Sequence, residues 1–234
     1  MTEVAPRRRG RPKKGAAPTT EDRMLAEALH AFAIHGYQGV SVRDLNRTLG
    51  VSHNLLHQRF GSKDGVWYAA VDWGFGGLVA ELAQADNATA DPEVRLRTMV
   101  RTFVSFSARN PDLQRVINSE AGQQSERLDH LLNTFVVPVL SAFAPLYGEL
   151  VESGRLRDVP ANTLYYLITS GGGAMFSQEG MTRRLFGDSP FEPAAIERHA
   201  EAVADLIIEG LRKPHPPDQS AVPGPASSVR HQRQ

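Results

Sequence analysis

The stretch that decides the fold is SVRDLNRTLGVSHNLLHQRF, residues 41–60. It contains two short segments with helical spacing, separated by a Leu-Gly-Val turn at 49–51. Ser41 and Ser52 stand at the starts of the two segments, and serine is a preferred residue at a helix N-terminus. Two capped helices joined by a tight turn are typical of a helix-turn-helix, a motif whose second helix enters the major groove of DNA.

The second helix of this motif has a polar surface suited to DNA. The chain carries no Asp or Glu from residue 45 to residue 63, although an ordinary exposed helix would often carry Glu. Leu56 and Phe60 are four residues apart, so we expect them to share the inward face. The remaining side chains offer donors, acceptors and one apolar contact to base edges and phosphates. These candidates are His53, Asn54, Leu55, His57, Gln58 and Arg59.

A basic segment, RRRGRPKK at 7–14, precedes the motif. Its Arg-Gly-Arg-Pro core resembles an AT-hook, in which two arginine side chains follow a narrow A·T-rich minor groove. In this interpretation Arg9 and Arg11 contact the groove, as the N-terminal arm of a homeodomain does. The other interpretation is a loose basic tail that is attracted to any phosphate.

The net charge of zero conceals an asymmetry. Residues 1–63 hold 11 Lys or Arg against 5 Asp or Glu, a balance of +6, and residues 64–234 hold 15 against 21, a balance of −6. This predicts an anionic partner for the N-terminal part only. The absence of cysteine excludes disulfides, thiolate metal sites and cysteine nucleophiles, and it suits a reducing cytosol. The longest apolar stretches, 134–147 and 164–176, are shorter than a membrane span, so we expect no membrane partner.

Apolar residues recur at helical spacing over most of the chain, and alternating strand patterns are few. The sequence therefore predicts an all-α protein with about nine helices. We predict a basic arm at 1–18, a three-helix helix-turn-helix domain at 19–70, a larger helical domain at 71–212 and a tail at 213–234. The arm and the Pro/Ser-rich tail are expected to be disordered in isolation.

Residues 24–71 resemble the DNA-binding domain of the tetracycline-repressor (TetR) family of bacterial regulators. The likeness is carried by FAIHGYQGVSVRDL (32–45), by the turn LGVS (49–52) and by LLHQRFGSKDGVW (55–67). The helices that follow are similar in number and order to the ligand-binding and dimerisation domain of that family. The resemblance implies a homodimer formed through the last two long helices, at about 160–179 and 193–211.

The resemblance also implies roles for individual residues, which differ in the part of DNA they would contact. Arg43 and His53 would read bases, with Asn54 and Leu55 close to them. Ser41, His57 and Lys63 would hold phosphates, and Gln58 and Arg59 would contact the backbone or base edges. Ser52, at the start of the second helix, also belongs to the predicted DNA-binding set. The chain departs from the family pattern at Asn46, at His57 and at 54–55. These departures are compatible with docking of the second helix in the major groove, but they prevent a prediction of the operator sequence.

Two features of the predicted larger helical domain at 71–212 bear on ligand binding. Six apolar residues are candidates for lining a pocket, although each is equally well explained as plain core; they are Phe103, Phe106, Phe135, Phe143, Met175 and Phe176. Three consecutive glycines at 171–173 predict either close helix packing or open space for a ligand. A catalytic loop at this glycine run is disfavoured, because no strand precedes it and no His/Asp partners accompany it.

Metal binding is also disfavoured. His53 and His57 have the spacing of two zinc ligands on one helix face, but Asn54 stands where a metalloprotease would have Glu, and no third ligand is evident. We therefore expect no metal, no cofactor and no catalytic residue.

These observations together predict a sequence-specific, DNA-binding transcriptional regulator in the bacterial cytoplasm. The resemblance implies a dimer on a palindromic operator and a repressor released by a small apolar or amphipathic effector. Two other interpretations stay open at this stage. One is an architectural protein that recognises A·T-rich DNA by shape, and the other is a small helical enzyme or carrier.

Overall fold

The structure, a computed structural model, describes residues 20–52, 54–87 and 89–213. The predicted arm with Arg9 and Arg11, the predicted base reader His53 and nearly all of the predicted tail lie outside the described residues. Within the described part every regular element is a helix, apart from one isolated backbone bridge between Leu156 and Arg212. The predicted all-α fold is therefore confirmed.

Ten helical rods make up the described part, because two pairs of helices are each joined through a π-helical turn. The first four rods are α1 (Thr20–Gly39), α2 (Val42–Thr48), α3 (Leu55–Phe60) and α4 (Lys63–Asp86). The next are α5 (Pro92–Arg109), α6 (Pro111–Glu120), and α7 (Glu126–Leu131) continued through Leu132–Val136 into α8 (Val137–Glu152). The last are α9 (Ala161–Tyr166) continued through Leu167–Gly171 into α10 (Gly172–Ser177), then α11 (Glu179–Phe186) and α12 (Pro193–Leu211).

The core of the N-terminal helices is continuous with that of the helices that follow. Phe32, Leu56 and Trp67 are fully buried and belong to one apolar cluster, which also includes Leu113 of α6 and Phe135 of the first π-helical turn. Helix α4 runs unbroken across the predicted domain boundary at 70/71. The packing therefore shows no boundary between domains at 70/71, and the division into domains stays a prediction.

Most of the predicted helix ends occur where the local chemistry places them. Gly36 has φ +67° and breaks the helical geometry of α1, although the helix resumes and ends at Gly39. Asp91 caps α5, since its Oδ1 accepts the Glu93 N–H at 2.8 Å. Asn110, which precedes α6, makes no such cap, because its side chain donates to the Phe106 carbonyl at 2.9 Å.

The rod formed by α7 and α8 runs over Glu126–Glu152, well beyond the apolar stretch 134–147. By length and composition only, it is long and apolar enough to cross a membrane. One side of the rod lines the cavity described below, and the absence of a membrane partner stays a prediction. A π-helical turn at Leu132–Val136 precedes Pro138, which lacks an N–H and whose ring would crowd the carbonyl four residues before it.

The glycine run at 171–173 is explained mainly by close packing. A Cβ on Gly172 would lie 2.8 Å from Val104 Cγ2 of α5, which is shorter than real contacts allow. A Cβ on Gly173 would lie 3.2 Å from Gln114 Oε1 of α6. A Cβ on Gly171 would have no neighbouring atom within 4 Å. The first glycine therefore faces outward, and the other two let this rod approach α5 and α6.

Helix α12 packs along α5, and arginines of α5 pair with acids of α12. Arg97 contacts Glu201 at 2.7 Å and Asp205 at 2.5 Å. Helix α11 lies between α10 and α12 and was not predicted. Because Thr182 is its one buried residue, it offers no inward apolar stripe that the sequence could reveal.

Candidate nucleic-acid interface and ligand cavity

The turn of the helix-turn-helix is built by glycine and by local hydrogen bonds. Gly50 has φ +65°, a left-handed conformation that favours glycine. The Gly50 N–H donates to the Arg47 carbonyl and the Val51 N–H to the Asn46 carbonyl, both at 3.1 Å. Ser41 caps α2, because its Oγ accepts the Asp44 N–H at 3.4 Å. Helix α3 begins at Leu55, three residues later than predicted, after an extended segment at 51–52.

Asn46 links the two helices of the motif through its side chain. It is 1% exposed. Its Nδ2 donates to the Val42 carbonyl at 3.0 Å, and its Oδ1 accepts the Leu56 N–H at 3.3 Å. The latter bond satisfies a donor in the first turn of α3, where no helical partner is available. The residue that departs from the family pattern thus fixes α3 against α2.

We expect Asn46→Ala to lower the free energy of unfolding by about 1–3 kcal/mol, because the buried Leu56 N–H loses its acceptor. Thr48→Ala, a change at the end of the same helix, serves as the control and should cost less than about 0.5 kcal/mol. Urea denaturation followed by circular dichroism measures both. Equal stability of the two variants would contradict the assigned role.

Five residues predicted to contact DNA have exposed side chains on the helix-turn-helix. These side chains make no hydrogen bond or ion pair with the described residues. They are Arg43, Ser52, Asn54, His57 and Gln58. Asn54 stands at the N-cap position of α3 but makes no capping bond through its side chain. These side chains therefore keep their donors and acceptors available to a partner.

Four other predicted contacts are engaged within the protein, and one of them is Ser41, whose Oγ caps α2. Arg59 Nη2 donates to Glu21 Oε2 of α1 at 2.6 Å, so its charge is already paired. Leu55 is half-buried and packs against the apolar core, which corrects the expectation of a freely exposed residue. Lys63 Nζ lies 4.3 Å from the centre of the Tyr37 ring. The last three contacts depend on how α3 and α4 pack against α1, which helical spacing does not specify.

A cluster around Tyr37 joins the start of α4 to α7. The Tyr37 hydroxyl donates to Asp64 Oδ1 at 2.7 Å, and the guanidinium of Arg127 lies 3.7 Å from the ring centre. Burial, followed by the hydrogen bond to Asp64, raises the pKa of Tyr37 to about 12. The phenol therefore stays neutral and continues to donate at physiological pH. No local pattern indicates this contact, because Arg127 and Tyr37 are far apart in the chain.

A cavity of about 730 Å³ lies between α4, α5, α6, α8 and α9, within the size range of small-molecule sites. Four of the six predicted pocket residues line it, namely Phe103, Phe106, Phe135 and Phe143. Helix α6 contributes Leu113, Gln114 and Ile117, which the sequence analysis did not single out. The spacing of Leu113 and Ile117 on one face of α6 was the available signal.

Met175 and Phe176 do not line this cavity, which corrects the predicted set. Phe176 is fully buried in a separate apolar cluster with Val104 and Ala200, and Met175 packs against that cluster. The His199 ring meets the edge of Phe176 at a centroid distance of 5.6 Å. These two residues therefore hold α10 against α5 and α12.

The polar groups along the cavity are mostly engaged with their own helices. The Ser107 hydroxyl donates to the Phe103 carbonyl at 2.9 Å, and the Thr169 hydroxyl donates to the Tyr165 carbonyl at 2.8 Å. Burial raises the pKa of Tyr165. The hydroxyl groups of Ser107, Thr169 and Tyr165 are therefore neutral, and most of the lining is apolar; Glu152 and Asp158 are its two acids.

Helix α6 connects the cavity to the helix-turn-helix. Asp112 Oδ2 lies 2.9 Å from His30 Nδ1 on α1, and Asp112 Oδ1 accepts from Arg115 at 2.7 Å. Arg115 Nε also donates to the Ser177 carbonyl at the end of α10, at 3.0 Å. Helix α6 is thus joined to α1 through Asp112 and to α10 through Arg115.

Two family models match this chain. The one described as bacterial regulatory proteins, tetR family, matches residues 24–69, and the one described as tetracyclin repressor-like, C-terminal domain, matches residues 92–207. The transcriptional repressor NicS of Pseudomonas putida is 21% identical over 204 residues, which cover 84% of this chain and 94% of that repressor. The transcriptional regulator BetI of Rhizobium meliloti is 33% identical over 97 residues, 42% of this chain and 47% of that regulator.

A solved structure agrees with these relationships. The TetR family transcriptional regulator PfmR from Thermus thermophilus has a TM-score of 0.61 and 27% sequence identity, over 84% of this chain and 100% of that chain. The helix-turn-helix geometry, the two family models and this shared architecture agree along the chain. The protein belongs to the TetR family of bacterial helix-turn-helix transcriptional regulators.

Proposed function

We propose that this protein is a repressor that binds a palindromic operator as a homodimer and leaves it when a small molecule occupies the cavity. The observation that carries the proposal is the acid-free exposed surface of α3 and its flanking turn, where Asn54, His57 and Gln58 are unengaged. Together with Arg43 on α2, these side chains offer the hydrogen-bonding groups that read base edges and hold phosphates. A homodimer would present two such surfaces roughly 34–36 Å apart, one turn of DNA.

The outer faces of α9–α10 and α12 support the dimer surface proposed here. Tyr166, Leu167 and Leu206 are large apolar residues that are 63%, 54% and 75% exposed. Gly171 and Ala202 are small, exposed residues on the same two rods, and small residues let helices of two protomers approach closely. Exposed apolar surface of this kind marks an interaction site. The apolar residues of α11 would extend it; they are Met181, Leu185 and Phe186.

We expect Leu206→Glu to weaken dimerisation at least about tenfold, because a carboxylate at the centre of the interface would be desolvated without a partner. Val94→Glu is the matched control, since Val94 is 47% exposed on α5 and lies outside the proposed interface. Sedimentation equilibrium over a range of protein concentrations measures both dissociation constants. An unchanged constant for Leu206→Glu would place the interface elsewhere.

The effector response rests on a coupling between cavity and DNA-binding helices. A ligand changes the equilibrium only by binding the two conformations with different affinity, and a coupling of about 1–3 kcal/mol is typical. Helix α6 lines the cavity and holds α1 through Asp112 and His30. We propose that ligand binding shifts α6 and thereby changes the spacing of the two recognition helices.

The site acts by binding, so the proposal contains no catalytic step and no metal or cofactor, and the relatives are transcriptional regulators. The partners we propose are double-stranded DNA, a small apolar or amphipathic effector and a second copy of the chain. We place the protein at the DNA of the bacterial cytoplasm, without a membrane partner. We retain the division into an arm at 1–18, a DNA-binding domain at 19–70, an effector and dimerisation domain at 71–212 and a tail at 213–234.

Selection of bound DNA from a random library tests the proposal, with the full-length protein and with a variant that lacks residues 1–18. We expect both to select one palindrome, and the full-length protein to add A·T-rich flanks through Arg9 and Arg11. Enrichment of A·T-rich DNA without a palindrome would overturn the operator-reading function in favour of an architectural one.

A further inference from the structure

The charge of the cavity lining limits the chemistry of its ligand. The 32 lining residues include no Lys, Arg or His within the described part of the chain. They include two acids, Glu152 at the end of α8 and Asp158 in the loop before α9. Neither carboxylate forms an ion pair with a described residue. The described lining therefore has two exposed carboxylates without an ion-pair partner and no basic side chain.

The backbone that carries Asp158 is held by hydrogen bonds. The Tyr147 hydroxyl donates to the Arg157 carbonyl and accepts the Val159 N–H, both at 3.0 Å, so it holds Asp158 from either side. The Arg157 N–H also donates to the Leu211 carbonyl at 2.7 Å, which ties the loop to α12. The backbone on either side of Asp158 is therefore held by Tyr147, which itself lines the cavity.

Aromatic side chains also line the cavity. The rings of Phe143 and Tyr147 are stacked, with centroids 6.1 Å apart and planes 13° apart, and both line the cavity. Tyr165 also lines it. Aromatic faces attract cations, and most strongly where water is excluded. An anionic head group would meet carboxylates and apolar rings, with no basic side chain to compensate its desolvation.

We infer that the effector is an apolar cation: a bulky hydrophobic body with one protonated amine or quaternary centre, bound with its charge toward Glu152 and Asp158. The inference rests on the proposed function only in that binding of this ligand is taken to regulate DNA binding. The binding itself is measured without DNA, so its failure and the failure of operator binding are separate results.

The test uses tetraphenylphosphonium and tetraphenylborate, which are close in size and shape and opposite in charge. Isothermal titration calorimetry measures both with the full-length protein, with E152Q/D158N and with E149Q. Glu149 is an exposed acid one turn earlier on α8 that does not line the cavity, so E149Q is the matched control. Binding of each protein to its selected DNA is measured in parallel and should be the same in all three.

We expect the wild type to bind the phosphonium at least about tenfold more tightly than the borate. The E152Q/D158N variant should lose roughly tenfold in phosphonium affinity, since exposed carboxylates contribute modestly and the two act together. E149Q should change less than about twofold. The phosphonium affinity should also fall as NaCl is raised, and less so in the double variant.

The inference is overturned by three results: equal or tighter binding of the borate to the wild type, an unchanged charge preference in E152Q/D158N, or no binding of either probe. In each case retained DNA binding would leave the regulator function standing. Loss of DNA binding in the wild type with intact phosphonium binding would overturn the proposed function alone.

Discussion

Replacing Arg127 with alanine is expected to lower the free energy of unfolding by about 3–5 kcal/mol. The partner of Arg127 is Glu120, whose carboxylate is 1% exposed at the end of α6. Arg127 Nε lies 3.2 Å from Glu120 Oε2, and the Ser125 hydroxyl donates to the same oxygen at 3.1 Å. Without the guanidinium, the buried Glu120 carboxylate would keep only the hydrogen bond from the neutral Ser125 hydroxyl, among those described, to offset the cost of burying its charge.

Arg127 also covers two rings of the N-terminal helices. Its guanidinium lies 3.7 Å from the centre of Tyr37 and 6.0 Å from that of Trp67. The substitution therefore removes a cation–π contact and packing by the side-chain stem in addition to the ion pair. We expect this single change to loosen the contact between α7 and the helix-turn-helix more than any exposed substitution does.

Guanidinium chloride denaturation measures the loss, with Arg47→Ala as the matched control. Arg47 pairs with Asp44 at 2.8 Å, but the two side chains are 77% and 55% exposed. Such a surface pair is worth about 0–1 kcal/mol. The double variant E120Q/R127M should recover much of the stability, because it removes both charges together. A loss below about 1 kcal/mol for Arg127→Ala would show that Glu120 is solvated without its partner.

The double variant R43A/N54A is expected to reduce affinity for the selected operator at least about 100-fold, since each base contact is worth about 1–3 kcal/mol and occurs twice in a dimer. Both side chains are exposed and unengaged, so their removal should leave the stability nearly unchanged. Affinity for random DNA should fall much less, because phosphate contacts supply most of it.

Arg59→Ala provides the contrast within the same motif. Its guanidinium is paired with Glu21, so its loss should affect the contact between α3 and α1 and leave the operator preference largely intact. Fluorescence anisotropy with operator and scrambled duplexes, at several salt concentrations, measures both effects. Full operator affinity in R43A/N54A would remove these residues from the reading surface, and a selective loss in Arg59→Ala would return Arg59 to it.

The sequence by itself determined the helix-turn-helix, because its signals act over a few residues. The serine cap at 41, glycine at 50 and the inward spacing of Leu56 all depend on neighbours within one or two turns. The same local chemistry determined the exposed, acid-free character of α3. No folded context was needed to predict that this surface meets an anion.

Only the tertiary structure decided which inward-facing residues line the ligand cavity and which are packed in the core. Phe143 and Phe176 have the same helical signature, yet the first lines the cavity and the second is fully packed between helices. Periodicity indicates the face that turns inward, but the distance to the opposing helix depends on how several helices cross. Arg59 with Glu21, Arg127 with Glu120 and Asp158 at the cavity depend on the same distances. Because these distances are set by packing of the whole chain, no local pattern encodes them.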